Sequence, residues 1–167
     1  VTVLRSLVDD VLDISKIESG RLTTEVAAFD LYATINGLVA LLRPHAQSRG
    51  LSLHASVDPE IDYRLRGDSH HLRQILLNLL GNAIKFTGSG SVALHLKVIE
   101  ESSGYYNTHF SVKDTGIGIP QDKQDKIFEL FTQADGSTGR KYGGTGLGLN
   151  IAQKIISLMG GKLEVRS

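Results

Sequence analysis

Asp68-Ser-His-His-Leu-Arg-Gln-Ile-Leu-Leu-Asn78-Leu-Leu-Gly-Asn82-Ala-Ile-Lys85 has the pattern of a single helix. Asp68 stands where an N-cap belongs. Leu72, Ile75, Leu76, Leu79, Leu80 and Ala83 form a broad apolar stripe at helical spacing. Asn78, Asn82 and Lys85 follow an i, i+4, i+7 spacing and share one face beside that stripe. An asparagine carbonyl can ligate a hard cation, and an ammonium can neutralise phosphate. On this helix alone, a solvent-exposed polar face is the simpler account.

Outward from this helix, strand and helix patterns alternate. Upstream, 22–29 reads as a strand. A helix capped by Asp30 runs to Arg49 and stops at Gly50. Pro44 within it predicts a kink or a new first turn. Leu51 to Val57 alternates as a strand does, and Tyr63 to Arg66 reads as a short one. Downstream, 91–100 and 106–113 read as two strands of a hairpin closed around Gly104. Pro120 opens a short helix over 121–128. Leu147 to Met159 reads as the last helix, Gly160-Gly161 stops it, and a strand is predicted from Lys162 to Val165. At the other end, Leu4, Leu7, Val11 and Ile14 repeat as the seam of a coiled coil or bundle. The expected fold is α/β: a two-layer sandwich of a mixed sheet packed on helices, preceded by part of another helix.

Composition narrows the chemistry. Eighteen basic and eighteen acidic residues balance, so no global field points to nucleic acid or membrane. No cysteine is present, which removes disulfides, thiolate metal sites and cysteine nucleophiles. That is compatible with a reducing cytosol, and a cytoplasmic location is expected. No apolar run has the length of a membrane span, so no direct membrane contact is expected.

Eighteen glycines are present, and many crowd into 116–118 and 136–148. Asp114-Thr-Gly116-Ile-Gly118-Ile follows a predicted strand. A carboxylate there can accept a hydrogen bond from an exocyclic amine such as that of adenine, while glycines admit a flat ring. An ordinary turn has the same composition. Gly143-Gly144-Thr145-Gly146-Leu147-Gly148 opens the last helix, and four glycines in six residues are costly without a ligand. Backbone N–H groups and the helix dipole make such a place an anion site, with phosphate its natural occupant. The common nucleotide motifs are absent. The lone Gly161-Lys162 pair is not a Walker A loop, neither glycine cluster fits G-x-G-x-x-G, and no H-R-D loop occurs.

In order, these segments resemble the boxes of two-component sensor histidine kinases. Residues 78–87 look like the asparagine box, 114–119 the first glycine box, 128–131 the phenylalanine box and 143–149 the second glycine box. Residues 12–20 are similar to the end of the second dimerisation helix. The wording of 131–143 is most similar to hybrid kinases. The resemblance implies the ATP-binding fold shared with DNA gyrase and MutL, with 1–20 ending the dimerisation helix and 21–167 forming a C-terminally truncated catalytic domain. Gyrase-type enzymes place a glutamate base where Asn78 stands here.

Carried over residue by residue, Asp114 would bind the adenine amine, with Gly116 and Gly118 lining the pocket. Asn82 would coordinate Mg2+ that bridges the phosphates, with Asn78 beside it and Lys85 on phosphate. Phe131 would begin a lid whose cations Arg140 and Lys141 seek phosphate. Gly144, Thr145, Gly146, Leu147 and Gly148 would form the phosphate-side turn. The cofactors implied are ATP and Mg2+. The partners implied are the kinase's own dimerisation and phosphoacceptor domain, a response regulator or receiver domain, and a second copy in the intact protein. None of His45, His54, His70, His71, His95 or His109 has the acceptor context. All six are therefore expected to be structural or surface residues, and the acceptor histidine lies elsewhere.

Overall fold

The computed structural model describes residues 12, 15–17, 19–124, 126–128 and 147–167. The chain divides into two compact units, Val26–Ile117, and Val1–Glu25 with Gly118–Ser167.

The first of these units holds five strands and two long helices. β1 (Ala27–Asp30) leads into α1 (Leu31–Ser48). The Asp30 carboxylate accepts from the Ala33 N–H at 2.8 Å, so the chain leaves the strand and enters the helix at one residue. Leu31, Ile35, Leu38, Val39 and Ala46 form the buried face of α1. The helix runs through Pro44 without a new first turn. Pro44 and Ala40, whose carbonyl lacks the usual donor, both lie on the exposed face, where water can replace the missing bond. Gly50, with φ of +70°, turns the chain from α1 into β2 (Leu51–Val57).

β3 (Arg64–Gly67) pairs antiparallel with β1, so the ladder of the first predicted strand covers only its last residues. α2 (Ser69–Phe86) follows. β4 (Gly90–Ser102) pairs parallel to β2 and antiparallel to β5 (Tyr105–Asp114), in the order β2-β4-β5. The parallel pair needs a long crossover, which β3 and α2 supply. The hairpin closes on Ser103 and Gly104 alone, with φ of +51° and +80°, the two-residue geometry that suits strand twist. A bulge between Val98 and Glu100 leaves Ile99 out of the ladder and 64% exposed.

The core lies between the sheet and the two helices. Val92, Leu94 and Leu96 point inward from alternate positions of β4. They meet Leu31, Ile35 and Leu38 of α1 and Leu76, Leu80 and Ile84 of α2 in one cluster. On α2, Leu72 and Leu79 of the expected stripe are only half-buried, while Ile84 is fully buried.

The second unit is described by itself. Residues 15–17 are helical and Leu12 is too; the seam residues Leu4, Leu7, Val11 and Ile14 lie outside the described residues. The expected helix over 121–128 is instead two 3-10 turns, Gln121–Lys123 and Lys126–Phe128. The segment is too short for α-helical propagation. α3 (Gly148–Leu158) buries Ile151, Ala152 and Ile155. Gly160 (φ +78°) donates to Ser157 and Gly161 to Ile156 at 2.9 Å, the crossed pair of bonds of a Schellman ending. The strand expected from Lys162 to Val165 does not form. Leu163 and Val165 do alternate with exposed Lys162, Glu164 and Arg166. A strand, however, is made by its ladder, and 162–167 pairs with none of the described strands.

The two long helices test the value of their caps. Asp30 is exposed and makes one capping bond, so Asp30→Ala should cost about 1 kcal/mol. Asp68 is buried; it caps His71 N–H at 2.9 Å and also meets the buried His71 Nδ1 at 2.5 Å. Asp68→Ala strands that imidazole and should cost about 3 kcal/mol. Urea denaturation of both variants checks the order.

Candidate functional site

The polar face of α2 carries three of the expected residues. Asn78, Asn82 and Lys85 are all half-buried, neither sealed in the core nor fully in solvent. Partial burial holds the Lys85 ammonium below the ordinary lysine range, because desolvation disfavours its charged form. Its Nζ lies 4.7 Å from the centre of the Phe86 ring, an attraction that partly offsets the lost water.

The end of α2 is unusually well tied. A helix leaves its last four carbonyls without intrahelical donors. The Ala83 carbonyl takes the last α-helical bond, from the N–H of fully buried Thr87 at 3.1 Å, and accepts the Thr87 hydroxyl as well at 2.7 Å. The Lys85 carbonyl accepts from Arg49 Nη2 at 3.1 Å. The Phe86 carbonyl accepts from Ile117 N–H at 3.4 Å. The last of these bonds brings the segment after β5 against the helix.

That segment is the expected Asp114–Gly116 turn. Asp114 Oδ1 accepts from Gly116 N–H at 2.8 Å, a local Asx turn. Among the described residues, Oδ2 has no protein donor, so half of an exposed carboxylate remains for a ligand. Glycine at 116 is a steric requirement: a Cβ there would stand 2.6 Å from the Phe86 carbonyl oxygen and 2.7 Å from Asp114 Oδ1. Backbone cannot yield as a flexible side-chain tip can. Thr115 fastens the other side, accepting from Ser91 N–H and donating to the Ser89 carbonyl, both at 3.1 Å. Gly90 (φ +109°) makes room for it, since a Cβ there would lie 2.2 Å from Thr115 Oγ1. The roles of Gly90, Thr115 and Arg49 are not among the expectations from sequence, because each depends on a partner far along the chain.

The structure thus brings Lys85 and Phe86 together with Asp114 and Gly116, on the same unit as Asn78 and Asn82. Gly118, Leu147 and Gly148 belong to the other unit. Gly118 has φ of +71°, and a Cβ there would lie 3.1 Å from Ser167 Oγ. The Leu147 side chain is fully buried, and at the N-cap position it supplies no capping hydrogen bond; the first turn of α3 holds no acidic residue. Asn150 Nδ2 donates to the Phe128 carbonyl at 2.7 Å. Phe131, Arg140, Lys141, Gly144, Thr145 and Gly146 lie outside the described residues.

The donor set on α2 limits what metal it can hold. It offers amide oxygens and no carboxylate, and the described residues contain no cluster of three or more His, Asp or Glu. Such a face suits Mg2+ that keeps most of its shell from water and phosphate.

Comparison with known proteins names the class. Residues 67–167 match the family described as histidine kinase-, DNA gyrase B-, and HSP90-like ATPases. The chain is 42% identical over 165 residues to hybrid signal transduction histidine kinase L of Dictyostelium discoideum, covering 98% of this chain and 10% of that protein. Among solved structures it is similar to full-length ShkA in complex with AMPPNP, with 34% identity and a TM-score of 0.81 over 94% of this chain and 31% of that one. It also resembles histidine kinase ThkA in complex with response regulator protein TrrA, at 25% identity and a TM-score of 0.69, over 98% of this chain and 46% of that one. The chain belongs to the histidine kinase-, DNA gyrase B-, and HSP90-like ATPase family, and several of its relatives are named as histidine kinases. It spans between 10% and 22% of the length of the first curated relatives it matches.

Two glycines near the site should respond oppositely to a methyl group. Gly116→Ala forces the turn off the helix end and should cost about 1–3 kcal/mol. A Cβ at Gly81, inside α2, meets nothing within 4 Å. Gly81→Ala should therefore stabilise by about 0.5–1 kcal/mol. Denaturation midpoints of the two variants check both signs.

Proposed function

We propose that this chain binds Mg-ATP and donates its γ-phosphoryl group to a histidine of a dimerisation domain in two-component signalling. The observation that carries the reading is the joint between α2 and the Asp114 turn. It sets a carboxylate, one of whose oxygens has no donor among the described residues, beside a helix whose polar face carries two amides and an ammonium. Membership of the ATPase family and likeness to ShkA in complex with AMPPNP support it.

On this reading, Asp114 accepts a hydrogen bond from the adenine amine, and Gly116 and Gly118 admit the ring. Asn82 contributes its amide oxygen to Mg2+, with Asn78 beside it. The metal, when bound, neutralises charge across the phosphates. Lys85 compensates phosphate charge directly. Arg140 and Lys141, with Phe131 at the head of the same segment, are assigned to the phosphates and the lid. Gly144, Thr145, Gly146, Leu147 and Gly148 are assigned to backbone contacts with phosphate. In the transfer, a neutral imidazole nitrogen forms the bond to γ-phosphorus. The bond from γ-phosphorus to the β-phosphate oxygen breaks, and ADP leaves. Neutral imidazole is a competent nucleophile near pH 7, so the protein's work is positioning and charge compensation.

The likeness to a kinase bound to its response regulator supports a receiver or response regulator as the downstream partner. The proposed setting is the cytoplasm. No helix among the described residues is long and apolar enough to cross a membrane.

Calorimetric titration of AMPPNP, with and without Mg2+, tests the reading on the parent chain and on Asp114→Asn. Affinity should fall without metal and drop about tenfold or more in the variant. Labelling of a separate acceptor domain that carries its histidine then tests transfer. Binding without any labelling would leave an ATP-gated binding module. Lys85 supplies a pH test. A bound phosphate favours the ammonium that burial disfavours. AMPPNP binding should therefore take up a proton above the depressed lysine pKa, and affinity should fall as pH rises through it.

A further inference from the structure

We propose that Arg49 is a positioning residue for the nucleotide site, acting through the end of α2. The inference rests on the nucleotide reading of that site. Arg49 is the C-cap residue of α1, and its N–H returns to Ala46 at 3.1 Å. Gly50 then turns the chain into β2. The backbone of Arg49 is therefore held by two elements, and its side chain has a fixed origin. From there Nη2 crosses thirty-six positions of sequence to the Lys85 carbonyl at 3.1 Å.

The placement fits the electrostatics of a helix end. A guanidinium at the last turn of α2 meets the negative end of the helix dipole and satisfies a carbonyl that no helical N–H can reach. The next carbonyl, that of Phe86, receives Ile117 N–H and touches the Gly116 position. A shift of the last turn would therefore move both Lys85 and the Asp114 turn. Arg49 Nε is buried and has no partner among the described residues. An arginine that served only to fill space would be better replaced by an apolar side chain, which carries no unpaired N–H. The bond from Nη2 is then what the residue contributes among the described residues. One ammonium donor should do the same work, because the described residues offer the rest of the fork no bidentate contact.

The test uses the full 167-residue chain with Arg49→Met and Arg49→Lys. AMPPNP affinity is measured by calorimetry, and amide hydrogen exchange is followed at Ile117 and at Leu94 in the centre of β4. In Arg49→Met, affinity should fall about tenfold and exchange at Ile117 should quicken, while Leu94 keeps its protection. Arg49→Lys should recover most of both effects. Affinity within about twofold of the parent in Arg49→Met, a change smaller than one hydrogen bond to a charged group, overturns the proposal. Loss of protection at Leu94 overturns it too, since Arg49 would then support the fold as a whole. Should the parent itself fail to bind AMPPNP, the nucleotide reading falls and this proposal's link to a nucleotide site falls with it. Selective exchange at Ile117 would still show whether Arg49 positions the turn.

Discussion

The C-terminal end of α2 is the joint on which the described site depends. A helix must find donors outside itself for its last carbonyls. α2 finds them in Arg49 at the end of α1 and in Ile117 after β5. These donors come from widely separated parts of the chain, so the requirement to satisfy one helix end sets the register of three segments. The short distance from position 116 to the Phe86 carbonyl leaves no space even for a methyl group. The glycine of the Asp114 turn is thus demanded by packing on the helix as well as by any ligand.

On the proposed reading, burial and charge around this joint are balanced for binding. The apolar face of α2 lies against β4 and α1, and its polar face remains half-buried. A fully exposed Lys85 would be strongly hydrated and would gain little from an arriving phosphate. A fully buried one would tend to lose its proton. Its intermediate position, with the Phe86 ring beneath the ammonium, keeps the charge available while removing some of the water that competes with a ligand. Asp114 has the complementary arrangement: one oxygen orders its own turn, and the other has no protein donor among the described residues.

The remaining unit uses the same means for its own ends. Asn150, nearly buried, joins α3 to the Phe128 carbonyl, and paired glycines close α3 by a Schellman ending. Its Leu147 shows how a motif residue can serve packing. That side chain is fully buried, so a phosphate-side role for it can involve only its backbone.

Local rules determined much of this protein from sequence alone. Asp30 and Asp68 had to cap helices because their carboxylates meet N–H groups within three residues, and both do so. The bounds of β2 followed from alternation, and Gly104 marked the hairpin. Its strands run closer to the turn than 91–100 and 106–113, because cross-strand pairing extends them to Ser102 and Tyr105. The ordered boxes identified the family. Other features depend on partners far along the chain. The 162–165 segment has strand alternation without a ladder, since pairing is a property of two segments. Pro44 is accommodated because its turn faces solvent. Arg49, Thr115 and Gly90 gained their roles only when folding brought Lys85, Ser89 and Ser91 beside them. Sequence specifies which groups must be satisfied; tertiary structure decides which distant groups satisfy them, because a hydrogen bond is set by distance in space.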